Sequence, residues 1–313
     1  KDLKSKVFKP EALKRMEDQG KKMAMLFLAR LYHCFFMINP EKKPIVIMKM
    51  VLITLSHGIC QTSPLSFVWF GSLLGALGDI EAGHRYTKLA KQLIEENASY
   101  EYESSGAVIG WATEVMCYVE PVQAAVGNFI EGIARSMSSG DTNSAFMNMA
   151  FYINEGYCSS LYLPILKTKT IEFHQVMKQH NRVNFLSHLI IMERHLQLLM
   201  GASWGTDRGF EEEIDVRHPH AVLYAAIYSL MASFIFRRFA PVKDALQQIL
   251  ARGPSQGSSL MFGDSEFKYI IGLASYWVSR ESEEPHWAEM GGNMAKGAVR
   301  GWSKTSRWNF EHK

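Results

Sequence analysis

Three clusters of residues in this chain have the right types for metal binding or proton transfer. One runs from His188 to Glu193, Arg194 and His195, and another is Glu172-Phe173-His174. The third sets Glu211, Glu212, Glu213 and Asp215 just before His218-Pro219-His220. Imidazoles and carboxylates are the usual ligands of zinc and of di-metal centres in helix bundles. A di-metal helix spaces Glu and His three apart so that both share a face, whereas residues two apart point about 200° away from one another. Glu193 with His195, and Glu172 with His174, therefore have the wrong spacing. A loop can gather ligands at any spacing, but nothing around residues 211–220 supplies the second shell that orders zinc ligands. No metal and no cofactor are expected, and the acidic run reads as a solvated loop or a docking surface.

Other chemistries fare no better. Phosphate binding by a P-loop needs G-x-x-x-x-G-K-[ST], and the glycines from Gly291 to Gly297 lack that ending and lie within a helical pattern. No G-x-S-x-G elbow is present. Cys34, between His33 and Phe35 in an apolar run, is expected to be a buried thiol. Cys60, Cys117 and Cys158 are equally far from any C-x-x-C pair, which fits free thiols in a reducing, cytoplasmic compartment. No residue is marked as catalytic.

The elements that would position these groups are helices, because apolar residues recur three and four apart almost throughout and period-two alternation is scarce. The segment GALGDIEAGHRYTKLAKQL, residues 75–93, shows where they stop. Glycines at 75, 78 and 83 would weaken one continuous helix by roughly 1 kcal/mol each. Two helices are the simpler reading: Ser66 to Leu77, a turn at Gly78, and a second helix from Ile80 to about Asn97 capped by Asp79. Similar breakers bound helices at 23–38, 45–57, 104–118, 121–138, 142–157, 164–180, 183–200, 221–236, 241–251, 267–280 and 287–302. Pro121 suits the first turn of its helix, Gly140-Asp141 ends it, and 142–157 is expected to pair with 164–180. Each pair spans about 40 residues, a period typical of stacked units that cannot bury their own apolar faces alone.

Composition agrees with a soluble globular chain. Of the 313 residues, 47% are hydrophobic and 21% charged, so a sizeable core is expected. A net charge of +3 with no basic run removes the attraction that nucleic acid would require. The longest uncharged stretch, Ala221 to Phe236, has 16 residues and falls short of the ~20 a bilayer span needs. Trp69, Trp111, Tyr152 and Tyr224 recur on first helices of pairs, where packing between units is favoured over an apolar ligand groove. The first residues form no apolar secretory core and do not begin with Met, which suggests a fragment of a longer protein.

The stretch at 66–93 resembles a tetratricopeptide-type repeat, with Gly71 in the first helix, Gly78 at the turn, and Gly83 and Ala90 in the second. A weaker copy places Ala125 and Gly132 where Gly83 and Ala90 sit, 42 residues on. With the strings NSAFMNMAFYINEGY, HPHAVLYAAIYSLMASFIFRRFAPVKDAL and MAKGAVRGWSKTSRWNFEHK, the chain is similar to the degenerate tetratricopeptide-like region of multidomain signalling ATPases. That region follows an ATPase module, often with a serine/threonine kinase ahead of it and GAF, histidine-kinase or cyclase modules behind, and is similar also to MalT-like helical repeats. The resemblance implies that the six small residues are structural positions.

The expectation is thus an all-α chain, an α-solenoid of antiparallel helix pairs with tetratricopeptide-like repeats of about 40 residues. Repeats would occupy 1–200, a polar loop 201–219, and further pairs 220–313. It would act as a non-enzymatic interaction or sensor module that meets a protein partner or neighbouring domains of its own chain. The alternatives are an independent all-helical enzyme or apolar-ligand carrier with a pocket between pairs, and a stand-alone scaffold.

Overall fold

The computed structural model describes residues 14–96, 104–180, 183–202, 219–252 and 262–302. Among these the regular structure is helical, apart from one isolated backbone bridge between Arg15 and Ile59. The described residues up to Asn148 form one compact unit, and those from Met149 onward form a second. This grouping divides inside a helix, at a point that composition does not mark. Most of the polar segment expected as a loop, 203–218, lies outside the described residues.

In the first unit, α1 (Gln19–Ile38) starts where the Asp18 carboxylate accepts the Lys21 N–H at 3.1 Å, and it stops before Pro40. α2 (Lys43–His57) ends at Gly58, whose φ of +98° is open to glycine at little cost. α3 (Ser63–Ala76) and α4 (Ile80–Glu96) form a hairpin. At its turn Gly78 has φ +92°, the Asp79 N–H donates to the Leu74 carbonyl at 2.9 Å, and Asp79 Oδ1 accepts the Ala82 N–H at 3.2 Å. These bonds satisfy end groups of both helices. α5 (Ser105–Met116) follows. The single helix expected from Pro121 to Ser138 is interrupted at Val126, giving a short α6 (Val122–Ala125) and α7 (Gly127–Ser138). Gly140-Asp141 then repeats the Gly78-Asp79 arrangement, with the Asp141 N–H on the Ser136 carbonyl at 2.9 Å and Asp141 Oδ1 capping Ser144 N–H at 3.2 Å.

Neighbours in sequence are neighbours in space: α1 packs on α2, α2 on α3, α3 on α4, α4 on α5 and α5 on α7. The core is aromatic. Trp69 of α3 stacks on Tyr32 of α1 with ring centroids 3.7 Å apart, and Trp111 of α5 meets the same tyrosine edge-on at 6.5 Å. Both tryptophans are buried.

One expectation fails on α1. Cys34 is exposed, because the inward face carries Met25, Leu28, Ala29 and Tyr32, and Cys34 falls with Phe27 and Arg30 on the opposite one. In a run as apolar as His33 to Ile38, composition does not reveal which face turns inward.

α8 (Thr142–Cys158) begins in the first unit and continues in the second. The second unit adds α9 (Leu163–Gln179), α10 (Val183–Leu199), α11 (Pro219–Ile235), α12 (Phe239–Arg252), α13 (Phe262–Ser282) and α14 (Pro285–Trp302). α9 pairs with α10, α11 with α12, and α13 with α14, while α10–α11 and α12–α13 contacts link the pairs. α9 also meets α8, as expected from sequence, through Tyr152 against Phe173 at 5.8 Å. The fold is all-α, with successive helix pairs packed in chain order.

Candidate functional site

Phe151 to Gly156 of α8 are buried one after another, so this part of the helix is enclosed on every side. Two of the six, Asn154 and Glu155, are polar and must find partners inside the second unit. Asn154 Nδ2 donates to Glu155 Oε1 at 3.0 Å, and the Tyr228 hydroxyl of α11 donates to Asn154 Oδ1 at 2.8 Å. Glu155 Oε1 also accepts the Gly263 N–H at 3.1 Å. Gly263 is the second residue of α13, so Glu155 caps a helix start 108 residues away. A Cβ on Gly263 would strike Asn154 Nδ2, which is why glycine stands there.

Around this core lie imidazoles and phenols. His195 of α10 sits against the rings of Tyr157 and Tyr228, each centroid 5.0 Å away, and His188 meets Tyr224 edge-on at 4.8 Å. Phe267 of α13 closes on Tyr228 at 5.4 Å.

Burial holds the group in uncharged forms. It pushes the Glu155 pKa up to about 8 against the pull of Asn154 and Gly263, and nearby Asp264 and Glu266 add to the rise. It pushes His188 and His195 down to about 4 each, and it raises Tyr157 and Tyr228. Tyr228 main chain lies close enough to draw the His195 value back slightly, yet neither ring nitrogen reaches hydrogen-bond geometry with any described partner. Glu155 Oε2 and the Ser233 hydroxyl are also without described partners. A carboxylic acid that titrates near neutrality has the pKa of a general acid, but Glu155 and His195 are buried. A reacting molecule would have to pass packed side chains to touch either one.

The residues singled out by sequence part company here. Glu193 turns to α9, where its Oε2 lies 3.1 Å from His174 Nδ1, while His195 faces α8 and α11. Glu172 pairs with Lys169 at 2.7 Å on the exposed surface, away from His174. Among the described residues no group of three or more His, Cys, Asp or Glu has metal-binding geometry. Glu211, Glu212, Glu213, Asp215 and His218 lie outside the described residues, and only the helical backbone of Pro219 and His220 is described. Near Phe267, a hollow of about 30 Å3 is lined by Leu223, Ile227, Ile249, Ile271 and Met294. That is room for a water-sized group, and Asp264 and Lys268 also line it.

The six small residues are placed as follows. Gly71 and Gly83 face one another where α3 crosses α4: a Cβ on either would stand 2.6 Å from the other's carbonyl oxygen. Gly78 forms the turn with open space around it, and Ala90 and Ala125 are fully buried. Gly132 of α7 lies against Asn148 of α8, and a Cβ on Gly106 of α5 would stand 2.5 Å from the Gly132 carbonyl. Gly132 thus makes in the α5–α7 crossing the kind of approach that Gly83 makes in α3–α4.

Asn154, Glu155, Tyr228 and Gly263 were not candidates from sequence. One signal was present: Glu155 is the only charged residue in the 17-residue helix α8. A comparison with models of known protein families finds no match for the chain, and neither does a search of curated proteins.

Proposed function

We propose that the chain is a non-enzymatic helical-repeat module for protein interaction or sensing, working within a larger cytoplasmic signalling ATPase or kinase. Its pairs are read as tetratricopeptide-like repeats of a solenoid. The observation that carries this reading is the outer face of α1 and α2. The pair packs inward on α3, yet Phe27 and Ile45 are each 68% exposed, beside exposed Met23 and Leu52. Exposed apolar side chains one turn apart on α1, Met23 and Phe27, with Ile45 and Leu52 exposed on α2, suit a neighbouring domain or a protein partner. The closed polar cluster around Glu155 suits a supporting role in the same reading.

Two measurements test it. The reading frame on either side of the chain should encode a kinase, P-loop ATPase or other signalling module, and stop codons on both sides would overturn that part. Cross-linking in cells, followed by mass spectrometry, should place a partner or a neighbouring domain on α1–α2. A Met23→Glu/Phe27→Glu variant should lose those cross-links while its helical circular dichroism is unchanged. Cross-links that persist in the variant would reject the surface.

A further inference from the structure

We propose that Glu155 is the pin of a proton-controlled latch: with its proton it holds the first turn of α13 shut against α8, and on losing that proton it lets the turn go. The inference lies within the second unit and is independent of the proposed function.

Geometry sets what the pin can do. Glu155 is fully buried, and its Oε1 accepts two N–H bonds, from Asn154 of its own helix at 3.0 Å and from Gly263 of α13 at 3.1 Å. Its Oε2 has no partner, and the residue makes no ion pair among the described residues. A carboxylate in that position would be a buried charge with half of its acceptors unmet, which costs far more than the neutral acid. The groups of the cluster do not relieve it. Tyr157 and Cys158 follow on α8, His188 and His195 come from α10, and Tyr224 and Tyr228 from α11. Burial keeps both imidazoles neutral, and Asp264 and Glu266 of α13 oppose a further negative charge. Lys268, the nearest cation along α13, lines the hollow near Phe267 together with Asp264.

Ionisation therefore favours whatever arrangement lets water reach Oε2. Most of the wall is fixed, since α8 is enclosed from Phe151 to Gly156 and Asn154 is tied to Tyr228 of α11. The part that can yield is a helix end. The first turn of α13 has N–H groups with no partner inside the helix, and such a turn frays more cheaply than a helix body moves. Opening breaks the Gly263 bond to Glu155 and carries Phe262, 1% exposed, out of the core. A hydrated carboxyl has its ordinary pKa, whereas burial raises that of Glu155 to about 8 in the closed latch. The opened form thus gains at most about tenfold in population per pH unit as pH rises toward that value, and levels off above it.

Native-state hydrogen exchange of the 313-residue chain reads the latch at the amides of residues 263–267. After correction for the intrinsic base-catalysed rate, their opening should rise about fivefold from pH 7 to 8. Low urea should leave that opening unchanged, because a frayed turn exposes little surface, whereas amides of α10 should open with a steep urea dependence. Glu155→Gln keeps an acceptor at Oε1 and has no proton to lose, so the rise should shrink to less than about twofold. Cys158→Ser removes the other nearby group that ordinarily titrates near 8.5, and it should leave the rise at the parent's size. Opening at 263–267 that is flat with pH, or that follows urea as steeply as α10, would overturn the latch. So would a rise that survives in Glu155→Gln or vanishes in Cys158→Ser.

Discussion

Asn148 and Asn154 lie six residues apart on α8, and each is wedged against glycine, but the two units use them differently. In the first unit Asn148 Nδ2 donates to the Gly106 carbonyl at 3.0 Å and the Ser144 carbonyl at 2.8 Å, with Gly110 and Gly132 pressed against the side chain. Its donor is satisfied by main chain alone. In the second unit Asn154 ties a buried acid to a buried phenol, with two imidazoles close by. The same residue type thus pins helices in one unit and organises titratable groups in the other. A polar side chain in a helical core takes its function from what faces it, and its own chemistry is only half of the argument.

The sharpest way to break this comparison is to fill the glycine crossings. Gly83→Leu would drive a side chain into the Gly71 carbonyl, where main chain and not a flexible side chain must yield. Overpacking of that kind costs about 1–3 kcal/mol or more, so thermal unfolding should show a fall in Tm of many degrees. Gly263→Val should do comparable harm in the second unit by displacing Asn154 and removing the cap on α13. If both variants melt with the parent, the close approaches are not holding the helices.

The alkaline side of the pH profile should distinguish the units next, because burial lowers the pKa of His33 and His84 of the first unit as it lowers those of the histidines of the second. Glu155 has its pKa raised from 4.5 to about 8, so the folded state holds a proton that the unfolded chain releases, and stability is lost as pH rises through that window. His188 and His195 are lowered from 6.5 to about 4, so the unfolded chain gains protons first and stability is lost as pH falls below 6.5. Between pH 6.5 and 8 Glu155 acts alone among these three, and the loss there is on the order of 1 kcal/mol per pH unit at most. Below 6.5 the two histidines outweigh it. Denaturant unfolding of the second unit should therefore be hardest near pH 6.5. Glu155→Gln should flatten the alkaline side and leave the acid side in place; an alkaline side that survives in the variant would show that Glu155 is not the group responsible.

Sequence made the helices legible because periodicity and breakers are local signals. Gly78-Asp79 and Gly140-Asp141 are turns with the same cap, and Pro40 and Gly58 end helices where chain-local chemistry requires it. Angular spacing also anticipated that Glu193 and His195 would face different helices. The rest was hidden for one reason: it depends on distance along the chain. Glu155 meets Gly263 across 108 residues and Asn154 meets Tyr228 across 74, and no local pattern records either contact. Cys34 was misplaced because a run of apolar residues fits more than one helical phase.

The smallest expected effect concerns the turns, where the units also differ. Among the described residues, those with positive φ in the first unit are Gly58, Gly78 and Gly140, whereas in the second Gly201 is joined by Ser160, Arg237 and Glu283. Gly140 has open space where a Cβ would go, so Gly140→Ala tests backbone conformation without a clash, and at φ +78° it should cost about 1 kcal/mol. Ser160, at φ +60°, lies in a turn closed by the Leu161 N–H on the Gly156 carbonyl at 3.0 Å. Ser160→Gly relieves the left-handed strain but frees the unfolded chain, and the two effects should leave a gain of roughly 0.5 kcal/mol. Opposite signs for these variants in chemical denaturation would confirm that the second unit tolerates strain which the first avoids. Equal signs would mean that turn conformation does not distinguish them.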